Sequence, residues 1–259
     1  MTYSIAIAGK GGSGKTTTCS LIIRDLKKRG LTPILAVDAD GNANLHESLG
    51  LKLNDTIGSI LAEFNSDKIN IPSGMNKGAF LQVRLNQAIV ESSGVDLISM
   101  GRGEGTGCYC YPNSVLKDFI DKLKGNYKFM VMDNEAGMEH LSRRTTENID
   151  VLLIASDYSV KGIRTASRIR ELVDELKLEV KRVSFIITRV PGEIDEHIAR
   201  ELQDLKIEPV ALIPLDSQIQ RFDLDQRSLL EMPDSSPAVH AVNKLTDILL
   251  ASMPAGGLR

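Results

Sequence analysis

The chain has 259 residues, 42% apolar and 25% charged, with a formal net charge of −3. That is ample material for a core, and the acidic balance disfavours non-specific nucleic-acid binding. No run of about 18 apolar residues occurs and the N-terminus enters a strand without a basic leader, so no membrane span or secretory signal is expected.

Strand and helix signals alternate from end to end. This predicts one α/β domain over residues 1–259: a doubly wound, mostly parallel sheet with helices on both faces. The first strand is expected at Tyr3–Ala8, followed by Gly9-Lys10-Gly11-Gly12-Ser13-Gly14-Lys15-Thr16 and a helix from Lys15 to Arg29. Two fingerprints overlap in that loop. Gly9, Gly11 and Gly14 fit the dinucleotide pattern G-x-G-x-x-G, while Gly9, Gly14, Lys15 and Thr16 fit the triphosphate pattern G-x-x-x-x-G-K-[ST]. The second assigns work to more side chains: Lys15 reaches the β- and γ-phosphates, and the Thr16 hydroxyl sits on Mg²⁺. A dinucleotide site needs neither. The loop therefore reads as a phosphate loop for a nucleoside triphosphate, with Thr17 continuing it into the helix. Cys19 lies among Leu21, Ile22 and Ile23 and reads as a packed small hydrophobe.

The second strand is expected at Pro33–Val37 and delivers Asp38 and Asp40, two residues apart on an extended segment and so facing one way. Short helices follow at Leu45–Leu49 and Thr56–Glu63, then a loop over 65–77, a helix at Phe80–Val90 and a third strand at Val95–Met100. Next comes a glycine loop with four glycines in residues 101–107, leading into Cys108-Tyr109-Cys110. Three cysteines, two of them in this C-x-C, do not make a disulfide framework. In a reducing cytoplasm, the expected location, paired thiols point to metal or redox chemistry. A helix is expected at Asn113–Leu123 and a fourth strand at Tyr127–Met132, ending in Asp133.

The remaining strands are expected at Val151–Ala155, Val183–Thr188 and Pro209–Ile213. Helices are expected at Lys161–Leu176, Glu193–Leu205 and Ala238–Ser252, with a frayed tail over 253–259. The carboxyl ends of parallel strands form the ligand edge. There the loop, Asp38, Asp40 and Asp133 converge on one triphosphate and its metal. Asp133 suits the metal shell, and of Asp38 and Asp40 one assists the metal while the other orients water.

Lys10, directly after the first loop glycine, has no duty in the generic motif. Together with the D-x-D of Asp38 and Asp40 and the D-x-x-x-G from Asp133 to Gly137, it resembles the deviant P-loop class that includes MinD, ParA and the nitrogenase iron protein. The resemblance implies that Lys10 reaches across a homodimer interface to the partner's phosphates, and that the two aspartate segments are switches. It also implies that adenine is read by the segments after the last two strands. Thr188-Arg189 stands where the class has Asn-Arg, and Pro214-Leu215-Asp216 matches its Pro-x-Asp.

Cys108-Tyr109-Cys110 and the stretch from Asn134 to Arg144 are similar to the CooC family, the ATPases that mature nickel carbon monoxide dehydrogenase, with close relatives serving acetyl-CoA synthase. This implies ATP or ADP with Mg²⁺ as ligands, Ni²⁺ or Zn²⁺ bound by Cys108 and Cys110 across a dimer, and a nickel-enzyme client. Two thiolates do not complete a four-coordinate site, and a two-fold axis supplies four. Two other functions compete with this one. An iron–sulfur electron-transfer ATPase needs a cysteine in residues 134–142, and none is there. A ParA- or MinD-like partitioning switch needs DNA or membrane contact, yet the last helix carries Lys244 as its sole Lys or Arg and reads as core. His46, His197 and His240 are scattered; Arg143 and Arg144 suit ion pairs or a client.

Overall fold

The apolar runs pair side by side into a seven-stranded parallel sheet of order β3-β2-β4-β1-β5-β6-β7. A computed structural model describes residues 2–65, 71–101, 118–135 and 149–253. The strands are β1 (Tyr3–Gly9), β2 (Ile34–Ala39), β3 (Val95–Ser99), β4 (Phe129–Asn134), β5 (Ile149–Asp157), β6 (Val180–Val190) and β7 (Pro209–Pro214). The helices are α1 (Lys15–Lys28), α2 (Leu45–Leu49), α3 (Ile57–Phe64), α4 (Lys77–Gln87), α5 (Val160–Glu175), α6 (Glu196–Asp204), α7 (Ser217–Leu224) and α8 (Pro237–Ala251); residues 118–124 are also helical.

Alternation along each strand feeds two apolar layers. On one face Ile5, Ile7 and Val131 pack with Leu21, Ile22 and Leu26 of α1 and with Val242, Leu245 and Leu249 of α8. On the other, Ala6, Ala8 and Ile154 pack with α3, α4, α5 and α6. Both faces are covered, as a doubly wound α/β sheet requires. The last helix is core, as its composition indicates: Val239, Val242 and Leu245 are buried.

Several strands outrun their apolar segments. β2 and β4 pair Asp38 with Asp133 and Ala39 with Asn134, so both aspartates lie inside strands rather than just beyond them. Ladder hydrogen bonds continue wherever a neighbour offers partners, whatever the side chain. β6 gains polar ends in the same way and bulges between Ile187 and Val190. Thr56 is the cap of α3, not its first residue: it closes a reciprocal capping box with Ser59.

Candidate nucleotide site

β1 ends at Gly9, where the chain passes β5 too closely for a side chain: a Cβ there would lie 2.3 Å from the Ala155 carbonyl oxygen. Ser13 N–H donates to the Lys10 carbonyl at 3.1 Å and closes the turn. Gly12 and Gly14 take left-handed backbones, φ 78° and 76°, which glycine adopts without strain. Gly14 caps α1, and no side chain bonds the helix's first N–H groups. Those donors and the positive helix end are available to an anion. Lys15 is buried with Nζ 3.4 Å from the Lys10 carbonyl, inside the loop's curve, while Lys10 itself is exposed.

The Thr16 hydroxyl donates to Asp133 Oδ2 at 2.5 Å. Asp133 is 1% exposed, and its Oδ1 has no hydrogen-bond partner among the described residues. A buried carboxylate oxygen without a donor is costly unless a cation or water occupies its other side. One hydroxyl and one carboxylate, both oxygen donors, fit Mg²⁺. Burial pushes the Asp133 carboxyl up to about 7, the Thr16 bond opposes this, and the charge of Asp38 adds to it.

Asp38 is fully buried and both its oxygens are engaged. Oδ1 accepts from Asp40 N–H at 3.2 Å and Oδ2 from Leu45 N–H at 2.9 Å, fastening the end of β2 to the start of α2. Burial, offset in part by these two bonds, pushes its carboxyl up to about 6. The chain bends at Asp40, so the extended alternation that would align the two carboxylates ends at Ala39. Asp40 is half-buried and accepts from Asn42 N–H through Oδ1 alone.

A cavity of about 1000 Å³ opens beside Gly14, Thr16 and Thr17 and continues past Thr188, Arg189, Pro214 and Asp216. The residues expected to flank the base thus share one cavity with the phosphate loop, but their polar atoms differ in availability. The Thr188 hydroxyl donates to the Ser13 carbonyl at 2.9 Å and supports the loop from behind. Asp216 is buried, with Oδ1 accepting from Gln218 N–H at 2.9 Å and Oδ2 from the Ser236 hydroxyl at 2.5 Å and Ala238 N–H at 3.2 Å. Arg189 is exposed on the β6 bulge with φ 57°, a conformation that costs a non-glycine residue energy and re-aims its side chain.

Sequence reasoning missed α7 and with it Gln220 and Asp223, which line the far part of the cavity. The available signal was Asp216 as an N-cap followed by lining positions three and four apart. Cys108, Cys110, Gly137, His140, Arg143 and Arg144 lie outside the described residues. Among the described residues no cluster of His, Cys, Asp and Glu is arranged to hold a metal, and no helix is long and apolar enough to cross a membrane. Cys19 is fully buried, and burial holds its thiol well above the ordinary range, consistent with a packing role.

An uncharacterized ATP-binding protein of Methanocaldococcus jannaschii is 38% identical over 95% of this chain and 98% of its own. The carbon monoxide dehydrogenase accessory protein CooC of Rhodospirillum rubrum is 28% identical over 90% of each chain. Among solved structures, the MinD cell division protein of Aquifex aeolicus superposes with a TM-score of 0.70 at 22% identity, covering 97% of this chain and 98% of that one. MinD of Pyrococcus horikoshii in complex with Mg-ADP gives 0.71 at 22% identity and the same coverage. Residues 4–229 match the family described as the CobQ/CobB/MinD/ParA nucleotide binding domain, and with the phosphate loop, Thr16 and Asp133 meeting at the carboxyl edge, the chain belongs to that family of MinD/ParA-type ATPases.

Proposed function

We propose that the chain is an ATP-hydrolysing metallochaperone: one P-loop domain that pairs with a second copy around nucleotide and carries Ni²⁺ or Zn²⁺ to a nickel enzyme. The observation that carries the ATPase part is the Thr16–Asp133 bond beside buried Lys15, with Asp133 Oδ1 left unpaired. Magnesium held by those two residues would neutralise phosphate charge. Lys15 and the α1 N-terminus bind the phosphates, and Gly9, Gly11, Gly12 and Ser13 shape the cradle. Asp40, whose Oδ2 is free among the described residues, orients the attacking water; Asp38, with both oxygens occupied, holds the strand end in place.

The delivery part rests on residues and resemblance. Cys108 and Cys110 supply two thiolates, a second copy supplies two more, and an accessory protein of carbon monoxide dehydrogenase is a relative over most of the chain. The exposure of Lys10 supports its reach to a partner's phosphates. The client is a carbon monoxide dehydrogenase or acetyl-CoA synthase in the cytoplasm; neither nucleic acid nor a membrane takes part.

If nucleotide and metal both stabilise the closed dimer, each tightens the other. Zn²⁺ and Ni²⁺ titrations are therefore expected to show at least about tenfold higher affinity with a non-hydrolysable ATP analogue, a coupling of ordinary allosteric size. Cys108→Ala/Cys110→Ala is expected to abolish this. Equal affinities with and without the analogue overturn the coupling. Lys10→Ala is expected to keep nucleotide binding and lose hydrolysis by roughly a hundredfold or more, on the scale of a charge stabiliser supplied in trans. Phosphate release at the unsubstituted rate would remove the shared-site reading.

A further inference from the structure

Asp40 lies one residue past β2, outside the strand ladder, and a turn holds it instead. Its N–H donates to Asp38 Oδ1 at 3.2 Å, its Oδ1 accepts from Asn42 N–H at 2.9 Å, and its carbonyl accepts from Ala43 N–H at 3.0 Å. The residue that closes this turn, Ala43, has φ 53°. A left-handed backbone brings Cβ against the following carbonyl oxygen, and alanine has no polar side chain to offset the strain. Lys177, Lys206 and Gln226 also have positive φ, but each follows a helix end, where that conformation is ordinary, and Arg189 sits on the β6 bulge. Ala43 has neither setting.

The support for Ala43 comes from the helix that follows. His46 Nδ1 lies 2.6 Å from the Ala43 carbonyl oxygen, and because a carbonyl only accepts, that nitrogen carries the proton and donates it. The ring is mounted on a fixed element. It belongs to α2, whose Leu45 and Leu49 are buried in the core and whose first N–H is held by Asp38 Oδ2 at 2.9 Å. Strain of this kind persists only where the surroundings hold it, and here they do so beside the reacting phosphate.

We propose that His46 is a positioning residue for ATP hydrolysis: by holding Ala43 in its left-handed backbone it fixes the turn that aims the Asp40 carboxylate. The inference rests on the water-orienting role given to Asp40 above and names the residue that role depends on. Asp40 meets the water; His46 acts only through the turn. Small misplacement of an orienting group reduces the rate far more than it reduces binding, so the effect falls on turnover.

The test is steady-state ATP hydrolysis by the full chain, with Mg-ADP affinity and Tm measured on the same variants. His46→Ala is expected to lower kcat about tenfold or more while KM and Mg-ADP affinity stay within about twofold, because the phosphate loop is untouched. His46→Asn, whose amide nitrogen stands at the position of Nδ1, is expected to recover most of the rate. His46→Gln, whose nitrogen lies a bond farther out, is not. Glycine relieves the strain without the ring, so adding Ala43→Gly to His46→Ala is expected to recover kcat several-fold. Ala43→Val raises the strain with the ring intact and is expected to lower kcat by itself, which reads the turn even if His46→Ala fails to fold. Unchanged kcat in His46→Ala or Ala43→Val overturns the assignment, as does a loss in His46→Ala that neither His46→Asn nor Ala43→Gly recovers, with Asp40→Ala inactive in each case. Full hydrolysis by Asp40→Ala overturns the water-orienting reading itself, and the assignment with it.

Discussion

Asp133→Asn is expected to make the nucleotide-free protein more stable while abolishing its response to magnesium and nucleotide. Asp133 is buried, with one oxygen on Thr16 and the other without a donor, and its carboxyl is pushed up to about 7. A carboxyl raised in the fold above its unfolded value contributes stability fully present below the unfolded value, near 4, and lost as pH rises through about 7. At pH 8 the empty site therefore carries a cost on the order of 2–4 kcal/mol, which an amide removes while still accepting the Thr16 bond. Scanning calorimetry at pH 8 should show Tm higher by roughly 4–10 °C in Asp133→Asn, the gap narrowing at pH 5, where the native carboxyl is protonated too. Adding Mg-ADP should raise Tm of the original protein, because ligands stabilise the state that binds them, and leave the variant's Tm nearly unmoved. A variant melting at or below the original at pH 8 would contradict this.

The second large effect belongs to Asp216. Sequence resemblance places this residue at the base, but its carboxylate joins the N-terminus of α7 to the residues that open α8. It caps Gln218, takes the Ser236 hydroxyl and accepts from Ala238 N–H, and Ser236 in turn caps α8 through Val239 N–H at 3.1 Å. Asp216→Ala leaves three donors unpaired near the core. The expected loss is about 2–4 kcal/mol, combining a lost cap with buried unsatisfied groups. Denaturant titration should show a lower midpoint with an unchanged slope. Asp216→Asn, which keeps one acceptor oxygen, should lose roughly half as much. Full stability in Asp216→Ala with weakened nucleotide binding would return the residue to base reading.

The order of elements was legible because strands buried on both faces are nearly continuous apolar runs, and Tyr3–Ala8 and Val151–Ala155, inside the observed β1 and β5, both read that way. Strand ends were less legible. Asp38 and Asp133 belong to the ladder through the register of β2 against β4, a tertiary fact that no local pattern carries. α7 went unseen because eight residues with four polar side chains among the first five, Ser-Gln-Ile-Gln-Arg, hold little periodic signal, and the helix exists through its cap and through Phe222 against the core. At the site, the phosphate loop could be read residue by residue because each position has its own chemical duty. The base side could not, since whether Thr188 or Asp216 is free to meet a ligand depends on Ser13, Ser236 and Ala238, which are distant in sequence.

The bond from Leu45 N–H to Asp38 links the phosphate side of the sheet to the cavity wall. β1 is braced by β4 and β5 along its length, so the loop at its end is a fixed anvil. The end of β2 is paired on both sides too, and there Asp38 accepts from the first amide of α2, which ties that helix to the sheet. Glu47 and Ser48 of α2 line the same cavity as α7. Through one buried carboxylate, the backbone of Asp40 at the phosphate side and the start of α2 at the cavity wall thus share a single anchor.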